Sequence, residues 1–282
     1  MRLSEHRYST IATVQGPLVF VDRVVEARMG ETVSIAFPDG HVADGEVLKI
    51  DADTVLIQLV GDSRGLDVER SSVVFTDIVK RAPLSLDALN RVFGGSFQPI
   101  DGLPMFVPER WAPISGVPLN PTARARPEEP IETGFSTIDG LNTLVRGQKL
   151  PIFSTAGLPS KEIAASIVEH ARTGTSGSAG AFVVVFVALG LSYHEYAFYR
   201  DSLERMRGAF VAFINLAKDP VVERLLAPRF GLTLAEYLAF EHGRNVLVVV
   251  TDMTNYCDAL REVSTAREEL PGRRGYPGYM YT

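Results

Sequence analysis

One cysteine, Cys257, in 282 residues leaves no material for an internal disulfide framework or a cysteine-rich zinc site. The five histidines, His6, His41, His170, His194 and His242, stand far apart, so no local metal-ligand cluster forms and no metal site is expected. Long apolar runs are also lacking. The longest, Ala181–Leu191, has eleven residues, against the roughly 18 or more that a membrane-spanning helix requires. The opening MRLSEHRYST has no apolar stretch of the signal-peptide kind. Basic residues are in the minority, 28 against 34 acidic, and the formal charge of −6 argues against a dedicated nucleic-acid binder. The expectation is a soluble, intracellular globular protein with enough apolar residues for a sizeable core.

What is present changes character along the chain. Residues 1–76 read as short strands rich in β-branched residues: Pro17–Val21, Thr32–Phe37, Glu46–Ile50, Thr54–Val60 and Ser72–Thr76. Turn residues separate them, at Asp39-Gly40, Asp44-Gly45 and from Gly61 to Gly65. Such spacing predicts a small sandwich or barrel, and a barrel hides its strand edges better. Residues 77–130 form a connection, with eight of the 17 prolines lying between Pro99 and Pro130. Proline donates no backbone hydrogen bond and restricts the residue before it, so an extended stretch is predicted. Met105, Phe106, Val107 and Trp111 are expected to hold it against a domain.

Residues 131–282 alternate strands with helices. Apolar runs at Leu150–Phe153, Ala181–Ala188, Ala209–Leu216 and Asn245–Val250 alternate with helical spacing over Ser160–Thr173 and Thr254–Leu270. Asp219-Pro220 reads as an N-cap followed by proline at the first helical position. Thr233 and Glu236 read as a capping box opening a new helix that Gly243 ends. Gly174–Gly180 reads as a flexible loop. Continuous apolar strands between helices predict a parallel sheet covered on both faces.

In such a sheet, ligands bind at the carboxyl ends of the strands. The candidate turn is Ser154–Lys161, which leads from LPIF into a helix and carries Ser154, Gly157, Pro159, Ser160 and Lys161. A working phosphate loop needs wrapping glycines, a lysine on the outer phosphates and a hydroxyl on magnesium. The five lysines follow Leu48, Val79, Gln148, Ser160 and Ala217, so no Gly-Lys pair exists. No two glycines stand two apart, which excludes the dinucleotide fingerprint, and H-E-x-x-H does not occur; the G-x-S-x-G match at Gly61–Gly65 lies in a turn between two strand-like runs, so it is no strand-to-helix nucleophile elbow. The turn is at best a degenerate nucleotide site. Asp252 lies just past an apolar strand, where it either orients a magnesium-bound water or caps the following helix.

Longer blocks are more specific. The run from Pro99 to Arg124, the block Ile131–Phe153, GLPSKEIA at Gly157–Ala164, Asn215–Arg229, Ala235–Tyr256 and the closing ALREVSTAREELPGRRGYPGYMYT resemble the non-catalytic B subunits of V/A-type ATPases. The resemblance spans nearly the whole chain. It implies α/β architecture with an N-terminal small β-barrel and a RecA-like parallel-sheet domain of the P-loop NTPase type, its phosphate loop degenerate. It also implies a regulatory subunit that pairs with a catalytic A subunit in an alternating hexameric head. Central-stalk subunits and, indirectly, a membrane ion-translocating sector would be further partners. ATP or ADP with Mg2+ would sit at subunit interfaces, held weakly or not at all by this chain alone, in a complex peripheral to the membrane on the cytoplasmic side.

The resemblance places Pro159, Ser160 and Lys161 where the catalytic subunit has Gly-Lys-Thr, and Leu191 where it has a glutamate that polarises the attacking water. No catalytic residue is therefore expected. Family members commonly carry GSGLPHNE where this chain reads STAGLPSKE. Lys161 either touches a phosphate or neighbouring subunit or is a solvated charge in a first helical turn. His194-Glu195 resembles an acid/base pair and otherwise reads as solvated surface. Arg273 and Arg274 stand where the family meets its stalk and adjacent subunit. Family members continue beyond GYPGYMYT, with the rest of the sheet, a helical domain and an arginine lent to the neighbour. The expectation is that these 282 residues are a fragment. The competing readings are a truncated or defunct paralogue outside the working complex, and a stand-alone ATP-hydrolysing enzyme.

Overall fold

The computed structural model describes residues 6–116, 122, 126–155, 157–173, 182–206, 208–267 and 269–281. The chain divides into two compact units: Met1–Arg81 with Asp219–Leu225 and Thr254–Thr282, and Ala82–Lys218 with Leu226–Met253.

The first unit holds β1 (His6–Tyr8), β2 (Ile11–Gln15), β3 (Leu18–Val21), β4 (Glu31–Ala36), β5 (Val42–Asp51), β6 (Thr54–Val60) and β7 (Ser72–Val79). They form one antiparallel sheet in the order β1-β7-β4-β5-β6-β3-β2. Alternate residues turn to one side, as the period of a strand requires. Val33 stands opposite Phe75 and Ile35 opposite Val73, while Val19 meets Ile57 and Val21 meets Val55. These side chains form a single buried cluster inside the curled sheet. Gly45 sits where β5 and β6 approach closely, since a Cβ there would lie 2.7 Å from the Ile57 Cγ2.

The connection is ordered where it is described. It contributes β8 (Arg81–Leu84), β9 (Arg91–Gly94) and β10 (Arg110–Pro113), the last paired with β8. Phe106 and Ile114 are buried, whereas Val107 and Trp111 are exposed. The anchoring apolar residues are thus only partly those expected, because β10 turns Trp111 outward.

In the second unit a small three-stranded sheet joins β11 (Pro130–Glu132), β12 (Leu144–Val145) and β13 (Arg172–Thr173), with the short helix α1 (Ser136–Leu141) between its first two strands. The main sheet contains β14 (Phe182–Leu191), β15 (Ala209–Leu216) and β16 (Asn245–Thr251), all parallel, in the order β16-β14-β15-β9. In chain order the helices are α2 (Ser160–His170), α3 (Tyr193–Arg205), α4 (Val221–Glu236) and α5 (Met253–Ala266); from Thr254 on, α5 belongs to the first unit. Val184, Phe186, Ala188, Ala212 and Ile214 pack with Ile167 and Val168 of α2 and Tyr199 and Leu203 of α3. On the opposite face, Gly231 of α4 lies against Val185, Val187 and Phe213.

Three expectations fail for identifiable reasons. Leu150–Phe153 is not a strand, and Ile152 and Phe153 are exposed. Pro151 removes one of the donors that a ladder needs in this four-residue run. Thr233 does not open a helix: it lies inside α4, and its hydroxyl donates to the Arg229 carbonyl one turn back. The helix runs past Pro228 and ends in a π-helical turn, Tyr237–Glu241, with Gly243 at φ +60° beyond it. Asn245–Val250 is not a strand covered on both faces: among the described residues β16 lies at the edge of the sheet, and Leu247 is its only buried residue. The expected loop Gly174–Gly180 lies outside the described residues.

Candidate functional site

The carboxyl edge of the parallel sheet is built from the ends of β14 and β16 and the starts of α2 and α3. The turn before α2 bends through Gly157, whose φ of +87° an L side chain rarely adopts. Leu158 N–H donates to the Thr155 carbonyl at 3.3 Å, and Ser160 N–H to the Leu158 carbonyl at 2.9 Å. Pro159 precedes the helix, and the Ser154 hydroxyl donates to the neighbouring Thr155 carbonyl at 3.3 Å. Ser154 and Lys161 are exposed.

β14 ends at the buried Leu191, and Ser192 then caps α3 in a reciprocal arrangement. The Ser192 hydroxyl accepts from Glu195 N–H at 3.3 Å, while Ser192 N–H donates to the Glu195 carboxylate at 2.7 Å. The Lys161 ammonium donates to the other oxygen of that carboxylate. Burial pushes the Glu195 carboxyl up, but Lys161 and the Ser192 donors pull it further down, below the usual carboxylate range. Lys161 is thus an exposed charge in a first helical turn that also pairs with Glu195, while His194 is exposed beside it.

Beneath them lies Tyr199, 2% exposed, whose hydroxyl makes no hydrogen bond of normal geometry among the described residues. Burial pushes this hydroxyl up to about 12; Thr251 opposes the shift, and Glu195, Glu162 and Asp252 add to it. Asp252 is exposed and stands between β16 and α5, at the sheet edge where the sequence puts it. Glu162 stands in the first turn of α2, Glu195 in the first turn of α3 and Asp252 just past β16, so all three carboxylates belong to this edge.

Tyr199 and Glu162 are absent from the sequence-derived site. The spacing Ser192-x-x-Glu195 was the available signal, since a capping box fixes Glu195 at a helix start directly after an apolar strand.

The residues present do not fit a bound phosphate. The loop's single cation is engaged by Glu195, three carboxylates border the edge, and no glycine-lysine pair offers backbone donors around an anion. Among the described residues, no group of three or more His, Cys, Asp or Glu is placed to hold a metal ion. No described helix is long and apolar enough to cross a membrane.

Arg273 and Arg274 lie in the first unit, on an exposed 3-10 turn, Arg273–Gly275. Gly272 N–H donates to the Tyr276 carbonyl at 2.7 Å. Tyr276 in turn donates to Asp258 of α5 at 3.0 Å, under the Arg261 guanidinium.

A seven-stranded antiparallel sheet followed by a parallel α/β sheet with its turn at the strand ends defines a known class. Family models match both parts: the beta-barrel domain of the ATP synthase alpha/beta family over residues 11–77, and its nucleotide-binding domain over residues 134–282. The chain belongs to the ATP synthase alpha/beta family. Among individual proteins, it is 66% identical to the V-type ATP synthase beta chain of Geotalea uraniireducens, over all of this chain and 63% of that one. It is 49% identical to the V-type ATP synthase beta chain of Thermus thermophilus, over all of this chain and 60% of that one. It is 51% identical to the B subunit of the A-type ATP synthase of Methanosarcina barkeri, over 98% of this chain and 60% of that one. The chain thus spans about three-fifths of the length of these relatives.

Proposed function

We propose that this chain acts as the regulatory, non-catalytic B (beta) subunit of a V/A-type rotary ATP synthase. Such a complex makes ATP from ADP using a transmembrane proton or sodium gradient. The observation that carries the reading is the match along the whole chain to B and beta chains, together with a loop whose only cation is held by Glu195. The chain pairs with the catalytic A subunit, and nucleotide with Mg2+ resides at the interfaces that the two build. Leu191 offers no group to activate water, so this chain hydrolyses nothing alone. The turn carrying Arg273 and Arg274 is suited to meeting a stalk or adjacent subunit, being exposed, basic and braced by Tyr276. The complex lies on the cytoplasmic side, peripheral to the membrane. The domain division that accompanies this reading is a barrel over 1–76, a connection over 77–130 and a nucleotide-binding-type domain over 131–282.

The test is to isolate the ATPase from its native cells through the catalytic subunit and identify this chain's peptides in it by mass spectrometry. Peptides covering the chain at a stoichiometry equal to that of the catalytic subunit are expected. Their absence would leave a defunct paralogue. ATP turnover by the purified chain, abolished by Asp252→Ala, would instead make it a stand-alone enzyme.

A further inference from the structure

Lys161 is the single basic residue between Ser154 and Glu169, and it stands in the first turn of α2. Its ammonium reaches across the sheet edge to Glu195 in the first turn of α3, 34 residues away. Glu195 is gripped on its other side by Ser192 N–H at 2.7 Å, so its position is set by the helix cap. The two side chains differ in exposure: that of Glu195 is 22% exposed and that of Lys161 52%. The carboxylate is therefore the fixed partner and the lysine the one that comes to it.

A phosphate entering this edge meets a defined obstacle. Taking Lys161 from Glu195 leaves a largely buried carboxylate without its cation, which is costly. The dianion would then face Glu195, with Glu162 in the first turn of α2 and Asp252 just past β16 at the same edge, all of like charge. The usual sources of phosphate affinity at a helix start, backbone donors and a lysine, are thus opposed by a neighbouring acid.

We propose that Lys161 and Glu195 form an autoinhibitory latch that makes this chain's own loop refuse nucleotide phosphates. The inference rests on the proposed function, in which the loop corresponds to the catalytic subunit's phosphate loop. Specificity against phosphate then comes from an engaged lysine and an opposing carboxylate, as well as from missing glycines. Glu195 is a specificity-determining residue and Lys161 its counter-ion.

The latch is tested with the full chain and two probes, Mg·ADP and inorganic pyrophosphate, by titration calorimetry. Glu195→Gln removes the charge while keeping a residue that completes the helix cap. E195Q is expected to bind both probes at least about tenfold more tightly than the wild type, a gain typical of one charge-assisted contact. Adding Lys161→Asn to E195Q is expected to remove the gain. E195Q that folds with a wild-type circular dichroism spectrum yet binds no better overturns the proposal. So does a gain that survives the loss of Lys161, or wild-type binding that K161N abolishes. Should E195Q misfold, Glu195→Ala removes the same charge and is read the same way. A chain found in the native complex whose E195Q variant stays inert loses the latch alone. One absent from the complex whose variant binds keeps the latch and loses the proposed function.

Discussion

The Tyr237 hydroxyl donates to the Glu109 carboxylate at 2.7 Å, joining residues 128 positions apart. Tyr237 is 4% exposed and begins the π-helical turn that closes α4; Glu109 immediately precedes β10. The same carboxylate accepts from the Ser85 hydroxyl at 2.9 Å and from Leu86 N–H at 3.3 Å. Next to it, Arg110 pairs with Glu241 of the same turn. A proline-rich stretch with little secondary structure is thereby tied to the end of a long helix by side-chain chemistry. π-helical turns are rare and favour places where a helix must adjust locally, and here the adjustment presents Tyr237 and Glu241 to one segment.

Tyr237→Phe is expected to lower the melting temperature near neutral pH, and the loss should itself depend on pH. The Tyr237, Ser85 and Leu86 donors hold the Glu109 carboxyl below its usual 4.5. A depressed carboxylate contributes stability that is complete above its unfolded value and disappears as pH falls through the folded value. The difference in melting temperature between wild type and Y237F should therefore shrink below pH 4.5. A difference that stays constant down through the carboxylate range would show that the hydroxyl acts through packing alone.

Asp101 makes a stronger case because its partner is better enclosed. Arg91 of β9 grips it with two nitrogens, at 2.5 and 3.1 Å, and Val92 N–H and Leu103 N–H donate to it as well. The side chains are 11% and 15% exposed. The Arg91 guanidinium, working against burial, holds the Asp101 carboxyl at about 2. Asp101→Asn leaves the arginine without its counter-charge, at an expected cost of about 3–5 kcal/mol by urea denaturation near neutral pH. The penalty should fade as pH falls from about 4 to about 2, where the wild-type carboxylate itself takes up a proton.

The sequence makes legible the elements whose apolar pattern is continuous and locally determined. Thr54–Val60 and Ala209–Leu216 are strands with the boundaries their β-branched runs suggest. Legibility ends where a neighbour decides. Arg91–Gly94 carries only Val92 and Phe93 as apolar signal, and becomes a strand because β15 accepts it as a parallel edge. Thr233 and Glu236 have the spacing of a capping box, yet tertiary packing of Leu234, Ala235 and Tyr237 keeps the preceding helix going. At the site, Asp252 does follow a strand as its apolar run suggests, whereas Ser154–Lys161 leads into the helix Ser160–His170 without the strand expected before it. The pairing of Lys161 with Glu195 joins two helix starts that are distant in sequence, and no local pattern announces it.

Gly231 illustrates a constraint that composition conceals. A Cβ at this position of α4 would lie 2.6 Å from the Val187 Cγ2, and Val187 is fully buried in the central strand. Valine is stiff at χ1 and cannot swing aside within a strand. Gly231→Ala gains helix propensity of about 1 kcal/mol yet is expected to destabilise on balance, since overpacking costs typically about 1–3 kcal/mol. Chemical denaturation of G231A, compared with Gly208→Ala outside the helices, measures the difference. Stabilisation by G231A would mean that α4 moves freely away from β14.

Phe97 is the last constraint, and the least visible in sequence. It belongs to no strand or helix, and its φ of +68° lies in the left-handed region. Nevertheless it is 3% exposed, with its ring 4.7 Å from Phe93, 6.2 Å from Phe106, 4.9 Å from Phe213 and 5.4 Å from Phe230. It thus links β9, the proline-rich connection, β15 and α4 in one aromatic contact set. Phe97→Ala removes the ring that all four share, and the expected loss is about 3–5 kcal/mol. Phe97→Gly, which tolerates the positive φ, should recover part of that loss, because backbone strain at a non-glycine residue costs about 1–3 kcal/mol. The two variants separate packing from strain: equal stability would place the whole effect in the lost ring, whereas a more stable glycine variant would measure what the left-handed backbone costs.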